Sequence, residues 1–282
     1  MTPTTKRNVL WVVWWVALGI GVGVWIAGTQ PAPAAAEYYA AYLLEMSLSV
    51  DNIFVFLIVF SELHIPADHQ RRVLGWGIIG ALVFRAVMIA AGIALLQRVH
   101  WIEYVFGAFI LFAAWRILFA EERERRVVEQ ACDVCATWIA RILPVSPMLR
   151  GHDFWRREGG RLVATPLFVA LVVIETTDIV FALDSVPAVF SITRNPLIVY
   201  SSNVMAMVGL RSMYFVLSVA LTRLRYLRQG LAIVLVFSAV KLLGGDHVHI
   251  SPVVSVGIIG LVLGLTIALS LWPRRPRGQV AS

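Results

Sequence analysis

Long apolar runs separated by short polar segments dominate the sequence. The first run, residues 9–27, carries no charge, and at ~1.5 Å per helical residue it can cross a hydrocarbon core of about 30 Å. Similar runs follow along the whole chain. They predict eight membrane-spanning helices, at residues 9–27, 37–60, 73–96, 101–119, 165–190, 196–221, 231–243 and 252–272.

The composition supports a membrane protein. Hydrophobic residues make up 59% of the 282 residues and charged residues 15%, which is too apolar for a soluble domain of this size. The net charge of +7 does not indicate nucleic-acid binding, because the basic residues alternate with apolar runs and form no basic face. We therefore expect the lipid bilayer, and not nucleic acid, as the surrounding partner.

The distribution of basic residues predicts the topology. Of the 24 Lys and Arg residues, 18 fall in the segments that lie inside if the N-terminus is cytoplasmic, two fall outside and four lie within spans. Cytoplasmic loops carry such an excess, so both termini are expected in the cytoplasm. The first span is longer than the ~7–15-residue apolar region of a signal peptide, so we expect it to be retained.

Two spans carry acidic residues at depth, in Leu44–Phe56 and Ile174–Phe190. Each ionised carboxylate near a bilayer centre costs about 2.5 to 3.5 kcal/mol on insertion scales. Three of them, Glu175, Asp178 and Asp184, share the second segment. A shared cation is the expected compensation.

The two acidic spans resemble each other, and the resemblance extends to their neighbours. Aligning the spans pairs Glu45 with Asp178, Asp51 with Asp184, Asn52 with Ser185, Arg85 with Arg211 and Arg116 with Lys241. Each unit holds three spans, and an odd number of crossings turns the second unit upside down. The pattern is typical of an inverted-repeat transporter, whose substrate site lies near the midplane. Chance similarity between short apolar helices is the alternative.

This organisation divides the chain into five parts. They are residues 1–36, an N-terminal transmembrane helix and linker; 37–119, the first three-helix repeat; 120–164, a cytoplasmic loop; 165–245, the second, inverted repeat; and 246–282, the last transmembrane helix and a basic cytoplasmic tail. The predicted fold is an all-α polytopic membrane protein.

The spacing of the acids limits how they can bind an ion. Asp178 and Asp184 are six positions apart, which on a regular helix gives different faces and about 9 Å in height. Either the helix unwinds between them or they serve successive sites. Pro187 favours unwinding, because its ring clashes with the carbonyl of Leu183. Glu45 and Asp51 have the same spacing.

The candidate ligands are all oxygen donors, which suit Mg²⁺, Ca²⁺ or Mn²⁺ better than Zn²⁺ or Cu⁺. The acids outnumber the two bases that we expect to balance them, Arg85 and Arg211. The candidate metal ligands are Glu45, Asp51, Asn52, Glu175, Asp178, Asp184 and Asn203, with Ser185 as a further neutral oxygen. Two alternatives are purely structural ion pairs with the arginines and a proton pathway without a metal.

The loop at 120–164 opens with the charged run EERERR, expected as a solvated helix extension. Gly159 and Gly160 lie between two short segments, residues 154–157 and 161–164, that are expected to form a hairpin. Cys132 and Cys135 form a lone CxxC and are interpreted as reduced thiols. The loop contains no nucleotide-binding motif or catalytic triad, so we expect neither an enzyme nor a permanently bound cofactor.

At four stretches the residues closely resemble the TerC family of integral membrane proteins. They are EMSLSVDNIFVF, SELHIPADHQRRVLGWGIIGALVFRA, ATPLFVALVVIETTDIVFALDSVPAVFSIT and SSNVMAMVGLRSMYF, and the similarity covers about residues 37–245. The resemblance implies an inner-membrane protein of the LysE-type transporter superfamily, associated with manganese efflux and with tellurium resistance. The family's acids, amides and arginines fall on the candidate residues above.

The resulting hypothesis is an exporter of a divalent cation, with Mn²⁺ named from the resemblance alone. The ion would bind between the second and fifth spans. The alternative is a non-transporting membrane scaffold or stress-resistance factor that uses the loop at 120–164 as a docking surface. The sequence leaves the oligomeric state open.

Overall fold

The computed structural model describes the backbone of residues 3–99, 101–119, 121–146, 153–158, 160–220, 226–244 and 250–271. Within these ranges, the description does not include the side chains of residues 3–8, 50, 51, 121–129, 142, 158, 211, 212 and 215–220. Of the predicted site, the side chains of Asp51 and Arg211 therefore lie outside the described residues.

Helices make up nearly all of the described chain. The elements are α1 (Pro3–Thr29), α2 (Ala34–Glu62), α3 (Ala67–Arg98), α4 (Ile102–Phe119), α5 (Glu121–Ile142), β1 (Trp155–Glu158), β2 (Arg161–Ala164), α6 (Pro166–Phe190), α7 (Pro196–Ala220), α8 (Leu227–Gly244) and α9 (Pro252–Leu271). Helices satisfy every backbone polar group internally, which apolar segments in lipid require.

The predicted fold class is confirmed, because each predicted span lies on a helix. Within the residues that the structure describes, seven helices are long and apolar enough to cross a membrane, namely α1, α2, α3, α4, α6, α8 and α9. In α7, Pro196–Leu210 forms a shorter apolar stretch. The seventh predicted span, which the sequence limits to 231–243, is extended to Leu227–Gly244.

The helices of the two predicted repeats pack crosswise. Helix α2 packs on α7, α3 packs on α6, and α4 packs on α8. Exchanging α2, α3 and α4 for α6, α7 and α8 reproduces the same set of pairs. This pairing is compatible with two repeats related by a two-fold axis, while the inverted repeat itself stays a prediction.

A polar layer separates two apolar clusters within the bundle. On each of four helices, the buried residues of one cluster end before a polar segment and those of the other begin after it. The flanking residues are Leu44 and Ile53 on α2, Leu74 and Ile89 on α3, Ile174 and Ala182 on α6, and Val199 and Leu210 on α7. The intervals contain Glu45, Asn52, Arg85, Glu175, Asp178 and Asn203, whereas Asp184 and Ser185 lie just beyond Ala182 on α6.

Helix α6 runs unbroken from Pro166 to Phe190 with Pro187 inside it. The predicted unwinding beside Asp184 is therefore wrong. Pro187 lies within the last turn of α6, only three residues before the helix ends at Phe190. Transmembrane helices tolerate such a proline because neighbouring groups compensate for the lost hydrogen bond.

The described parts of the loop at 120–164 form a small layer at the end of the bundle where α2 ends and α6 begins. Helix α5 packs on α2 and α6, with Cys132 and Ile139 buried. The predicted hairpin is confirmed with its first strand shifted by one residue, and Trp155 pairs with Ala164. Gly160 has φ +80° in the turn, a conformation that favours glycine. The helix predicted from EERERR is confirmed as the start of α5, while its side chains are not described.

Candidate functional site

Arg85 on α3 is the centre of the polar layer. Its Nη1 donates a hydrogen bond of 2.8 Å to Glu45 Oε2 on α2, and its Nε lies 3.6 Å from Asp178 Oδ2 on α6. The side chain of Arg85 is 2% exposed, that of Glu45 1% and that of Asp178 5%. Three helices are thus joined by one guanidinium shielded from solvent and lipid.

Two amides complete this network. Asn203 Nδ2 on α7 donates to Glu45 Oε1 at 2.7 Å, and Asn52 Nδ2 on α2 contacts Asp178 Oδ1 at 3.5 Å. The sequence predicts these amides as oxygen ligands, whereas here they contact the acids through nitrogen. Asn203 Oδ1 is buried without a hydrogen-bond partner in the described part of the chain. We call Glu45, Asn52, Arg85, Asp178 and Asn203 the central network.

The local sequence explains how these groups meet. Glu45 and Asn52 are seven positions apart, which is about two helical turns, so both lie on the same face of α2. Asp178 and Ser185 have the same spacing on α6. Helices α2 and α6 pack against each other, α7 packs on α2, and α3 packs on both α6 and α7. The acids therefore converge although they are distant in sequence.

Asp184 belongs to a different ion pair. Arg116 Nη2 on α4 donates a hydrogen bond of 2.6 Å to Asp184 Oδ2. The sequence analysis balances the acids only with Arg85 and Arg211, so this partner is missed. One sequence signal could have identified Arg116 as a partner of the acids. Arg116 aligns with Lys241, and both are charged residues at the same place of a membrane-spanning unit. Lys241 donates instead to Ser255 Oγ on α9 at 2.9 Å.

Glu175 lies one turn before Asp178 on α6 and is half-buried. Its carboxylate rests against Gly80 on α3, where a Cβ would overlap it. The three-residue spacing gives Glu175 and Asp178 a common face, as predicted. Glu175, Asp178 and Asp184 thus follow one another along α6, with Glu175 nearest to the start of the helix.

A small cavity joins the central network to the Arg116–Asp184 pair. Its volume is about 20 Å³, which is enough for one water-sized body. Polar groups of both networks line it, together with apolar residues of α2, α4, α6 and α8: Leu48, Asn52, Arg85, Arg116, Ile117, Phe181, Asp184, Ser185 and Leu235.

The donor set suits a hard cation, but three of the acids, Glu45, Asp178 and Asp184, are paired with arginines. Within the described residues, no three of the His, Cys, Asp and Glu side chains converge closely enough to hold a metal ion. An ion would therefore have to displace a guanidinium from a carboxylate. Four acids of the layer have described side chains, Glu45, Glu175, Asp178 and Asp184, against two arginines, Arg85 and Arg116.

Comparison with known proteins identifies relatives over most of the chain. The sequence profile described as "Integral membrane protein TerC family" matches residues 31–278. "Uncharacterized membrane protein STKORF319" of Myxococcus xanthus is 45% identical over 269 residues, covering 94% of this chain and 82% of that protein. No solved structure matches.

Two further relatives carry names that refer to a function or a location. "Putative membrane-bound redox modulator Alx" of Escherichia coli (strain K12) is 38% identical over 277 residues, covering 95% of this chain and 85% of that protein. "Thylakoid membrane protein TERC, chloroplastic" of Arabidopsis thaliana is 39% identical over 257 residues, covering 91% of this chain and 65% of that protein.

Proposed function

The chain belongs to the TerC family of integral membrane proteins, and from this premise we propose that it exports a hard divalent cation, foremost Mn²⁺. The observation that carries the proposal is the central network, in which Glu45, Arg85 and Asp178 are buried between two apolar clusters. Ionisable groups inside a membrane domain usually mark the path of an ion or a proton.

The energetic argument distinguishes transport from a purely structural role. Burying an ion pair costs several kcal/mol per ion in desolvation, and well-packed apolar residues often stabilise a fold as well or better. A bundle that needed only stability could therefore have joined α2, α3 and α6 by apolar packing. A transport site, by contrast, requires charged ligands at this depth.

The composition of the layer supports a cation as its ligand. Among the described side chains, the acids of the layer outnumber its arginines. The oxygen donors suit a hard cation, which excludes neither Mg²⁺ nor Ca²⁺. The choice of Mn²⁺ rests on the resemblance to the TerC family.

The distribution of basic residues supports an orientation with both termini in the cytoplasm, and the proposed location is the inner membrane. In this orientation Glu175 lies on the cytoplasmic side of Asp178, and Asp184 on the outer side. A cation would enter from the cytoplasm, pass along α6 and leave outward. Protons that replace the metal on the carboxylates are the simplest proposed coupling.

The crosswise packing of α2, α3 and α4 with α6, α7 and α8 supports the proposed inverted repeat. In transporters built this way, the substrate site lies where equivalent helices of the two units meet. Here the equivalent acids Glu45 and Asp178 share one guanidinium, that of Arg85.

The name of the relative Alx makes redox modulation the rival function, and Cys132 and Cys135 would be the groups to carry it. Cys132 is buried, and burial raises the pKa of the Cys135 thiol, although a hydrogen bond with Thr176 opposes the shift. A raised pKa leaves less thiolate, the reactive form of cysteine. The thiols therefore give the redox alternative little support.

Transport by purified protein in liposomes tests the proposal. The liposomes enclose a metal-sensitive dye, and Mn²⁺, Mg²⁺ and Ca²⁺ are added in turn with and without a pH gradient. Glu45→Gln and Asp178→Asn remove one charge each from the central network. Glu103→Gln is the matched control, because Glu103 pairs with Arg194 at 2.6 Å outside the polar layer.

We expect the wild type and Glu103→Gln to transport Mn²⁺ at similar rates. The two network variants should be slower by about tenfold or more, which corresponds to ~1.4 kcal/mol of lost stabilisation. Wild-type liposomes that take up no metal faster than protein-free liposomes, under any gradient, would exclude transport and favour a scaffold or stress-resistance role.

A further inference from the structure

The two arginines of the polar layer are held very differently. Arg85 is 2% exposed and contacts two carboxylates, so its departure would leave both acids buried without the guanidinium that offsets their charge. Arg116 is 31% exposed and contacts the carboxylate of Asp184. Of the two, only Arg116 can swing away from its acid toward the periphery of the bundle at modest cost.

The side of Asp184 that faces the central network offers further oxygen. Ser185, the next residue on α6, is 2% exposed, and its Oγ has no hydrogen-bond partner among the described residues. Ser185 lines the 20 Å³ cavity together with Asn52, Asp184 and both arginines. A buried hydroxyl without a partner is costly, so its lack of one among the described groups points to a ligand at this position.

We propose that Asp184 and Ser185 form a second cation-binding site. In this proposal the guanidinium of Arg116 occupies the site until the transported ion displaces it. The inference rests on the proposed function and adds a residue that the sequence analysis did not assign to the site. The ligand class is a hard divalent cation, because the available donors are carboxylate, hydroxyl and amide oxygens.

The two proposed cation-binding sites, at Asp178 and at Asp184, follow one another along α6. Asp178 and Asp184 are separated by about 9 Å along the helix axis. The cavity lies between Asp184 and two members of the central network, Asn52 and Arg85. An ion that leaves the central network would meet Asp184 next. Return of Arg116 to Asp184 would then expel the ion and prevent its movement backward.

This arrangement makes an unusual prediction for Arg116→Gln. Removing the competing charge should tighten equilibrium binding of Mn²⁺, because the ion no longer has to break an ion pair. The same change should slow net transport, because nothing remains to expel the ion. A residue that only stabilised the fold would weaken both when replaced.

The experiment measures Mn²⁺ binding to purified protein in detergent through the electron paramagnetic resonance signal of free Mn²⁺, and Mn²⁺ transport in liposomes. Arg116→Gln should lower the Kd for Mn²⁺ by about tenfold and slow transport by a similar factor. Arg116→Lys, which keeps the charge, should return the Kd to within about threefold of the wild type. Arg194→Gln is the matched control, because Arg194 forms a 2.6 Å pair outside the layer.

The double variant Arg116→Gln/Asp184→Asn should abolish the tightening, since it removes the acid that the ion would occupy. An unchanged or weaker Kd in Arg116→Gln, in protein that still binds Mn²⁺ as wild type, would overturn the inference and leave the proposed function intact. A wild type that neither binds nor transports Mn²⁺ would instead overturn the proposed function.

The same set of variants also tests whether a loss of binding reflects a failure to fold. Should Arg116→Gln fail to fold, Arg116→Met, whose unbranched stem fills a similar volume, takes its place with the same expected Kd. If both fail to fold and the charge-neutral double variant folds, the pair is a structural bridge and the inference is overturned.

Discussion

Asn203 on α7 donates a hydrogen bond of 2.7 Å to Glu45 on α2, although 158 positions separate the two residues. The other oxygen of Glu45 accepts from Arg85, so both carboxylate oxygens are bonded. Glu45 is thus held by two helices besides its own. The amide sets the position of the acid without adding a charge.

Replacing Asn203 by alanine is expected to lower the free energy of unfolding by about 1.5 to 3 kcal/mol, the range for hydrogen bonds to charged groups. Ser201→Ala is the control on the same helix, because its hydroxyl bonds only to the carbonyl of Ile198. The unfolding midpoint in detergent measures both. Equal midpoints for the two variants would contradict the bond's contribution.

Arg85→Gln should destabilise the fold far more. It leaves Glu45 and Asp178 buried without their guanidinium, and breaking a buried pair in this way costs about 3 to 5 kcal/mol. The exposed pair of Arg194 and Glu103 should contribute less than about 1 kcal/mol, so Arg194→Gln is the reference. If Arg85→Gln lowered the unfolding temperature no more than Arg194→Gln does, the ion pairs of the central network would not stabilise the fold as expected.

Gly80→Ala should affect transport through Glu175. The added methyl group would overlap the Glu175 carboxylate, which must then leave the face of α3. A methyl group added at Gly75 on the same helix would meet no atom within 4 Å, so Gly75→Ala is the matched control. The rate of Mn²⁺ uptake by liposomes should fall for Gly80→Ala alone. Identical rates for both variants would show that Glu175 does not act from this position.

The thiols of α5 should react slowly with N-ethylmaleimide. Burial raises the pKa of Cys135, so at neutral pH less of it is the reactive thiolate than in a free cysteine with a pKa near ~8.5. Its alkylation rate should therefore rise only at a higher pH than that of denatured protein. Fast labelling of the folded protein at neutral pH would contradict this burial and strengthen the redox alternative.

The central network illustrates what the sequence can predict. Glu45, Asp178 and Arg85 are recognisable because charged residues within apolar runs must find partners, and few candidates exist. Their equivalence by alignment also indicates that Glu45 and Asp178 belong to one site. The sequence cannot tell that a single guanidinium contacts both acids, because that depends on how α3 lies between α2 and α6.

The missed partner Arg116 and the wrong expectation at Pro187 have physical causes. Arg116 lies near the end of α4, where a long basic side chain can reach the membrane surface, so its pairing with Asp184 depends on the packing of α4 against α6. The sequence predicts that Pro187 unwinds α6, but the effect of a proline depends on its position within the helix. Three residues from the helix end, it changes little.

The central claim is that the buried carboxylates of α2 and α6 bind a divalent cation. Mn²⁺ binding to the purified wild type and to Asp178→Asn, compared with Glu103→Gln, tests it most directly. The account predicts saturable binding in the wild type and the control, and loss of that binding in Asp178→Asn while the protein stays folded. Wild-type affinity in a folded Asp178→Asn variant would contradict the account.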